Sequence, residues 1–161
     1  MTSALPVVQP VLIHGTTVAL GSHGILLRGA SGAGKSDLAL RFIADQGRFP
    51  CPKVSRRLVS DDQTLLTRDG DRLMASAPAA IEGMLEVRGV GIVRVPKSDA
   101  VAVSLVVDLV DTSEIERLPE LLSSIDLLGR AVPCRKLWAF EASAALKLAM
   151  LTVDLIGYDN T

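Results

Sequence analysis

Gly29-Ala30-Ser31-Gly32-Ala33-Gly34-Lys35-Ser36 lies between the apolar run Ile25-Leu26-Leu27 and a segment with Leu38, Ala39, Phe42 and Ile43 at helical spacing. Strand, glycine loop and helix in that order, with G-x-x-x-x-G-K-[ST] matched in full, define a phosphate-binding loop. Glycines let the backbone turn so that successive N–H groups point at phosphate oxygens, and the helix N-terminus adds its positive dipole end. The pattern predicts that Gly29, Ala30, Ser31, Gly32, Ala33 and Gly34 cradle a nucleoside triphosphate. Lys35 then reaches the β and γ phosphates, and the Ser36 hydroxyl completes a Mg²⁺ shell. A chance match in a chain of this size is on the order of one per cent.

Outward from the loop, Val11 to Leu20 is β-branched and apolar, ends in a Gly21-Ser22-His23-Gly24 turn, and predicts a strand paired with Ile25-Leu26-Leu27. The helix over Ser36 to Ala44 has Gly47 as its stop. Arg57-Leu58-Val59-Ser60 reads as a strand running into Asp61-Asp62. Thr64 to Thr67 and Arg72 to Ala75, joined by Asp69-Gly70, read as a hairpin, which makes an all-parallel sheet unexpected. Leu85 to Val93 is one extended stretch interrupted by glycines, Val101 to Val110 a central strand, and Glu141 to Ile156 a buried closing helix.

The 161 residues, 48% of them hydrophobic, suit one core, so a single domain over 1–161 is expected. A net charge of -1, without a lysine- or arginine-rich run, argues against nucleic acid as the main partner. Cys51 and Cys134 stand far apart, without zinc or disulfide spacing, which fits a reduced, cytoplasmic compartment. Met1 to Pro6 lacks the basic and apolar regions of a signal peptide, and no apolar run is long enough to span a bilayer, so no membrane association is expected.

A phosphate cradle alone does not name a reaction, because ATPases, GTPases and kinases share it. The carboxylates must decide, and two candidates compete on equal spacing for the metal-facing position: Asp61-Asp62, and Asp108 after Leu105-Val106-Val107. Two adjacent carboxylates can divide the work. One coordinates Mg²⁺ while the other takes a proton from an attacking hydroxyl. His14, Glu86 and Arg117 have by themselves only ordinary surface or strand readings.

Four segments in order resemble the catalytic domain of HPr kinase/phosphorylase: His14-Gly15, Gly29 to Asp37, Arg57 to Asp62, and Leu85-Glu86-Val87-Arg88-Gly89-Val90-Gly91-Ile92-Val93. The last is similar to that family's E-[IV]-R-G-x-G signature, which generic phosphate-loop proteins lack. The resemblance implies an α/β fold related to phosphoenolpyruvate carboxykinase, a mixed β-sheet with helices and a phosphate-binding loop. It implies an ATP- and Mg²⁺-dependent kinase acting on a serine of HPr or an HPr-like phosphocarrier protein of the phosphotransferase system, with a reverse, phosphate-dependent dephosphorylation. Carried over by position, Asp62 becomes the proton-transfer aspartate, with His14, Lys35 and Arg117 as catalytic partners. Ser36 and Glu86 become Mg²⁺ ligands, with Asp61 a supporting carboxylate beside them. A homo-oligomer, hexameric in the family, is also implied.

The chain departs from the family's pattern at its start, before the closing helix, and in that helix, which ends at Gly157 so that a reduced form of the family's long C-terminal helix is expected. It begins close to the catalytic domain, so a short form without an N-terminal domain is expected. Val132-Pro133-Cys134-Arg135-Lys136-Leu137-Trp138 keeps only the start of the family's P-x-R-P-G-R-N segment, which is associated with phosphorolysis. Two other readings stay open at this level: an ATPase or small-molecule kinase using Asp108, and a nucleotide sensor that leaves Asp62 idle.

Overall fold

The computed structural model describes residues 8–119 and 123–157. The Met1 to Pro6 segment, read above for a targeting signal, lies outside them. Strands β1 (Val11–His14), β2 (Thr16–Leu20) and β3 (His23–Arg28) lead through the glycine loop into α1 (Lys35–Ala44). Then come β4 (Arg56–Ser60), the hairpin β5 (Gln63–Asp69) and β6 (Arg72–Ser76), and the hairpin β7 (Met84–Val87) and β8 (Gly91–Arg94). The chain continues through β9 (Val101–Leu109), β10 (Ser123–Leu127) and β11 (Arg130–Leu137) to α2 (Ala144–Ile156).

Nine strands form one mixed sheet in the order β1-β5-β6-β9-β3-β2-β4, with β11 also on β9 and β10 on β11; β7 and β8 pair separately. Among the described strands only β3 with β9 and β9 with β11 pair in parallel. The expected mixed α/β fold is therefore the fold observed. Side-chain alternation along the central strands divides two apolar clusters between the faces. Ile25, Leu27, Leu105, Val107 and Leu109 join Leu38 and Phe42 of α1 and Leu148 of α2. Leu26 and Val106 face the other way, where Val59, Leu66, Leu73 and Val132 cover them, so strands close that face and helices close its opposite.

The central strand is β9, as its apolar run predicts, and α2 begins three residues later than the periodicity suggests. The Val11 to Leu20 segment is two strands. Gly15 divides them: β1 pairs with β5, whereas β2 lies between β3 and β4. His23 and Gly24 belong to β3, so the turn is confined to Gly21-Ser22. Leu85 to Val93 folds back on itself, because Gly89 in the turn and Gly91 at the start of β8 adopt positive φ (84° and 115°). The hairpin register pairs Asp69 with Arg72, which puts Gly70-Asp71 in the turn. Both cysteines are free and buried. No helix among the described residues is long and apolar enough to cross a membrane.

The registers align β2, β3, β4, β9 and β11 at one end of the sheet. Arg28 aligns with Asp108, Leu109 with Leu137, Thr16 with Leu27, and Thr17 with Ser60. The glycine loop, the Asp61-Asp62 turn, His14-Gly15 and the segment after β11 consequently meet at the carboxyl end of β3, where open α/β sheets bind ligands.

Close approach of β3 to β9 depends on Gly24. A Cβ there would lie 2.9 Å from Val101 Cγ2 and 3.0 Å from the Ala102 carbonyl oxygen. Backbone oxygen in a central ladder cannot step aside, so Gly24→Ala should destabilise the fold by about 1–3 kcal/mol. Urea unfolding should show a lower midpoint at an unchanged slope.

Candidate phosphate-binding and phosphoryl-transfer site

A cleft of about 720 Å³ opens along the glycine loop, lined by Ser31, Gly32, Gly34, Lys35 and Ser36 and by His14, Asp62 and Glu86. Its size suits a small-molecule ligand. Helix α1 starts directly from the loop, with Gly34 in the left-handed region (φ 94°) as its N-cap. The Lys35 side chain is buried against the loop, its Nζ donating to the carbonyl oxygens of Gly29 (2.8 Å) and Ala30 (3.0 Å).

The tandem carboxylates separate at a tight turn. The Gln63 N–H donates to the Asp61 carbonyl at 2.7 Å, an i→i+2 bond that leaves Asp62 at the apex with φ 64°. Aspartate tolerates this conformation better than most non-glycine residues. The turn is anchored on both sides: Gly15 N–H donates to the Asp62 carbonyl (2.8 Å), and Asp62 N–H donates to Thr16 Oγ1 (3.2 Å).

Asp61 points inward and is buried. Its Oδ1 accepts from Ser36 Oγ at 2.7 Å and from Thr16 Oγ1 at 3.1 Å, while its Oδ2 accepts the Glu86 backbone N–H at 3.2 Å. One carboxylate thus joins the phosphate loop, β2 and β7. Asp62 points the other way, into the cleft, with an exposed carboxylate whose Oδ1 is 3.4 Å from Nδ1 of the equally exposed His14. Buried and exposed members of one pair are fitted to different tasks. Asp61 holds the loop serine, and Asp62 is free to meet a ligand.

Asp108 is engaged elsewhere. Strand parity places it with Leu26 and Val106, on the face away from α1. Arg28 donates to it from Nε (2.8 Å) and Nη2 (3.0 Å), and Cys134 Sγ lies 3.4 Å away. Its hydrogen bond to Asp108 holds the Arg28 guanidinium above its ordinary pKa, and burial, followed by the Asp108 charge, pushes the Cys134 thiol upward. Neither Asp108 nor Arg28 lines the cleft. Arg117 lies on an exposed bend after the short 3-10 turn Thr112–Glu114 and is not among the cleft residues.

Two participants lay outside the sequence reading. Thr16 looks like an ordinary β-branched strand residue, yet its hydroxyl bridges both aspartates. Phe140 follows a segment in which only departures from a motif are visible, yet it lines the cleft beside Gly34.

Fold and site together define a phosphate-loop protein of the mixed α/β class, in which a buried carboxylate holds the loop serine and an exposed one faces the phosphates' cleft. Residues 7–144 match the HPr serine kinase C-terminal domain, and the chain belongs to that family. Over 84 residues it is 39% identical to an HPr kinase/phosphorylase of Exiguobacterium sp. and 42% identical to one of Clostridium tetani. That stretch is 52% of this chain but only 24% and 25% of those relatives, so the aligned part spans about a quarter of their length. A solved structure of the Hpr(Ser) kinase/phosphatase from Coxiella burnetii superimposes with a TM-score of 0.76 at 24% identity, over 89% of this chain and 95% of that one. The likeness to that structure establishes the fold.

Asp61→Asn tests the three-way junction. An amide keeps one acceptor: turned to the Glu86 N–H it leaves the Ser36 and Thr16 hydroxyl protons without theirs, and turned to the hydroxyls it sets an N–H against the Glu86 N–H. The variant should lose about 1–3 kcal/mol of stability in denaturant unfolding, and the amide protons of Glu86 and of the loop should exchange faster.

Proposed function

We propose that this chain is a protein serine kinase that transfers the γ-phosphoryl group of ATP to HPr or an HPr-like phosphocarrier. The observation that carries the reading is the division of Asp61 and Asp62, one fixed on Ser36 and the other exposed in the cleft beside His14. Family membership supports the same assignment, as do the names of the aligned relatives.

In this reading the loop amides and Lys35 hold the phosphates, and the seryl hydroxyl enters the cleft from the Asp62 side. Asp62 accepts the seryl proton as the oxygen attacks, and His14 orients the carboxylate. In the opposite direction the protonated Asp62 donates to the leaving seryl oxygen while inorganic phosphate takes the phosphoryl group. Ser36, Asp61 and Glu86 offer hydroxyl and carboxylate oxygens, a hard donor set that suits Mg²⁺. When bound with nucleotide, Mg²⁺ supplies neutralisation of charge on the phosphate oxygens. Arg117 enters the proposal as a further cation through the family resemblance, since its bend stands outside the cleft.

The proposal also takes residues 1–161 as one catalytic domain, acting in the cytoplasm as a homo-oligomer, hexameric by resemblance, without a nucleic-acid or membrane partner. The balanced charge of the chain supports the last part.

Asp62→Ala should lower phosphoryl transfer by about 10²- to 10⁴-fold while ATP still binds. The measurement is transfer of label from γ-labelled ATP with Mg²⁺ to the host's HPr-like proteins, alongside calorimetric titration with ATP. Asp108→Ala should leave the transfer rate within about threefold of the parent, because its carboxylate serves the Arg28 pair on the far face. Survival of transfer in Asp62→Ala together with its loss in Asp108→Ala would instead establish the Asp108 reading. A folded, ATP-loaded protein that labels no carrier would overturn the substrate.

A further inference from the structure

The cleft has two flanks, and the acid and histidine occupy only one. Asp62 follows β4 and His14 precedes β2, both on the β2–β4 side of the glycine loop. On the other side β9 and β11 follow in the sheet, and the segment leaving β11 carries Phe140 to the cleft. In a phosphate loop the lysine meets the β and γ phosphates and the serine serves the metal between them. Ser36 is bonded to Asp61, so the γ end of a triphosphate belongs on the Asp62 flank. Its nucleoside must then leave toward the β9–β11 flank.

Phe140 is built to meet it there. The chain has only three phenylalanines, and this one is left 56% exposed. Its position is nevertheless fixed. Arg41 of α1, held by Asp37 (Nε to Oδ2, 3.0 Å), donates to the Glu141 carbonyl at 3.3 Å and to the Ala139 carbonyl, clamping the backbone on both sides of the ring. Trp138 meets the ring edge-on, with centroids 6.4 Å apart and planes at 70°. The ring lies so close to the loop that a Cβ on Gly34 would stand 3.2 Å from two of its carbons. An exposed aromatic held rigid at a cleft wall offers a stacking face at little entropic cost. Val87 and Val90 add apolar surface from the β7–β8 hairpin in the same cleft.

We propose that Phe140 is the platform for the base of the bound nucleotide, and that the Arg41 clamp on residues 139–141 sets its position. The inference rests on the nucleotide-binding part of the function proposed above, and is independent of which protein receives the phosphoryl group. Base stacking on an aromatic typically contributes about 1–3 kcal/mol. Phe140→Ala should therefore weaken binding of Mg-ATP by between about fivefold and about a hundredfold.

Inorganic tripolyphosphate, which has the phosphates without the base, separates stacking from any effect on the loop. Calorimetric titration of the parent, Phe140→Ala and Phe140→Trp with each ligand should show ATP weakened only in the alanine variant and restored by tryptophan. Tripolyphosphate affinity should stay within about twofold throughout. Equal loss for both ligands would make Phe140 a support for the loop, and unchanged ATP affinity in Phe140→Ala would leave it without a role; either result overturns the proposal. A parent that binds tripolyphosphate as tightly as ATP overturns the platform while the phosphate loop stands. A parent that binds neither overturns both.

Discussion

The Asp61 carboxylate is where three otherwise separate parts of the chain become one site. Ser36 comes from the loop–helix junction, Thr16 from an interior strand and the Glu86 N–H from a hairpin outside the main sheet. Each oxygen is used, which is the condition for keeping a buried carboxylate. The geometry of the phosphate loop is thereby set by the sheet, and not only by its own glycines. Thr16 extends the connection, because the hydroxyl that donates to Asp61 also accepts the Asp62 N–H. The inward carboxylate and the outward one are consequently fixed by the same strand.

This arrangement follows from the mixed sheet. Were β2 parallel to β3, its first residues, Thr16 among them, would stand at the far end of the sheet from the loop. Antiparallel pairing of β2 with both neighbours brings the start of β2 and the end of β4 to the carboxyl end of β3. Parallel pairing of β9 and β11 brings Leu109 and Leu137 to the same end from the opposite side. Ligand groups therefore approach the glycine loop from both flanks, with charge on one and an aromatic on the other.

The loop, the helix after it and the β9 core strand were legible because local pattern and tertiary role agree there. The division of labour in Asp61-Asp62 was not legible to the same depth. Adjacent carboxylates suggest two tasks, but which one turns inward depends on a left-handed residue at Asp62 that spacing does not encode. Asp108 and Asp61 looked equivalent for a related reason. Both faces of β9 are apolar, so the sequence has no alternation to show that Asp108 points away from α1. Strand β11 was hidden by Pro133, which breaks the usual strand pattern. It is tolerated because parallel pairing with β9 begins only at Cys134, so its missing N–H falls outside that ladder. The hairpin of β7 and β8 was read as one straight piece, since glycines mark a break without saying that the chain reverses.

The edge-on contact between Trp138 and Phe140 has a practical side. The chain has a single tryptophan, so all of its indole emission originates two residues from the cleft wall. Any ligand that touches the Phe140 ring changes the surroundings of that one fluorophore. The native polypeptide thus includes its own optical reporter, and occupancy of the cleft can be followed in real time without attaching a dye.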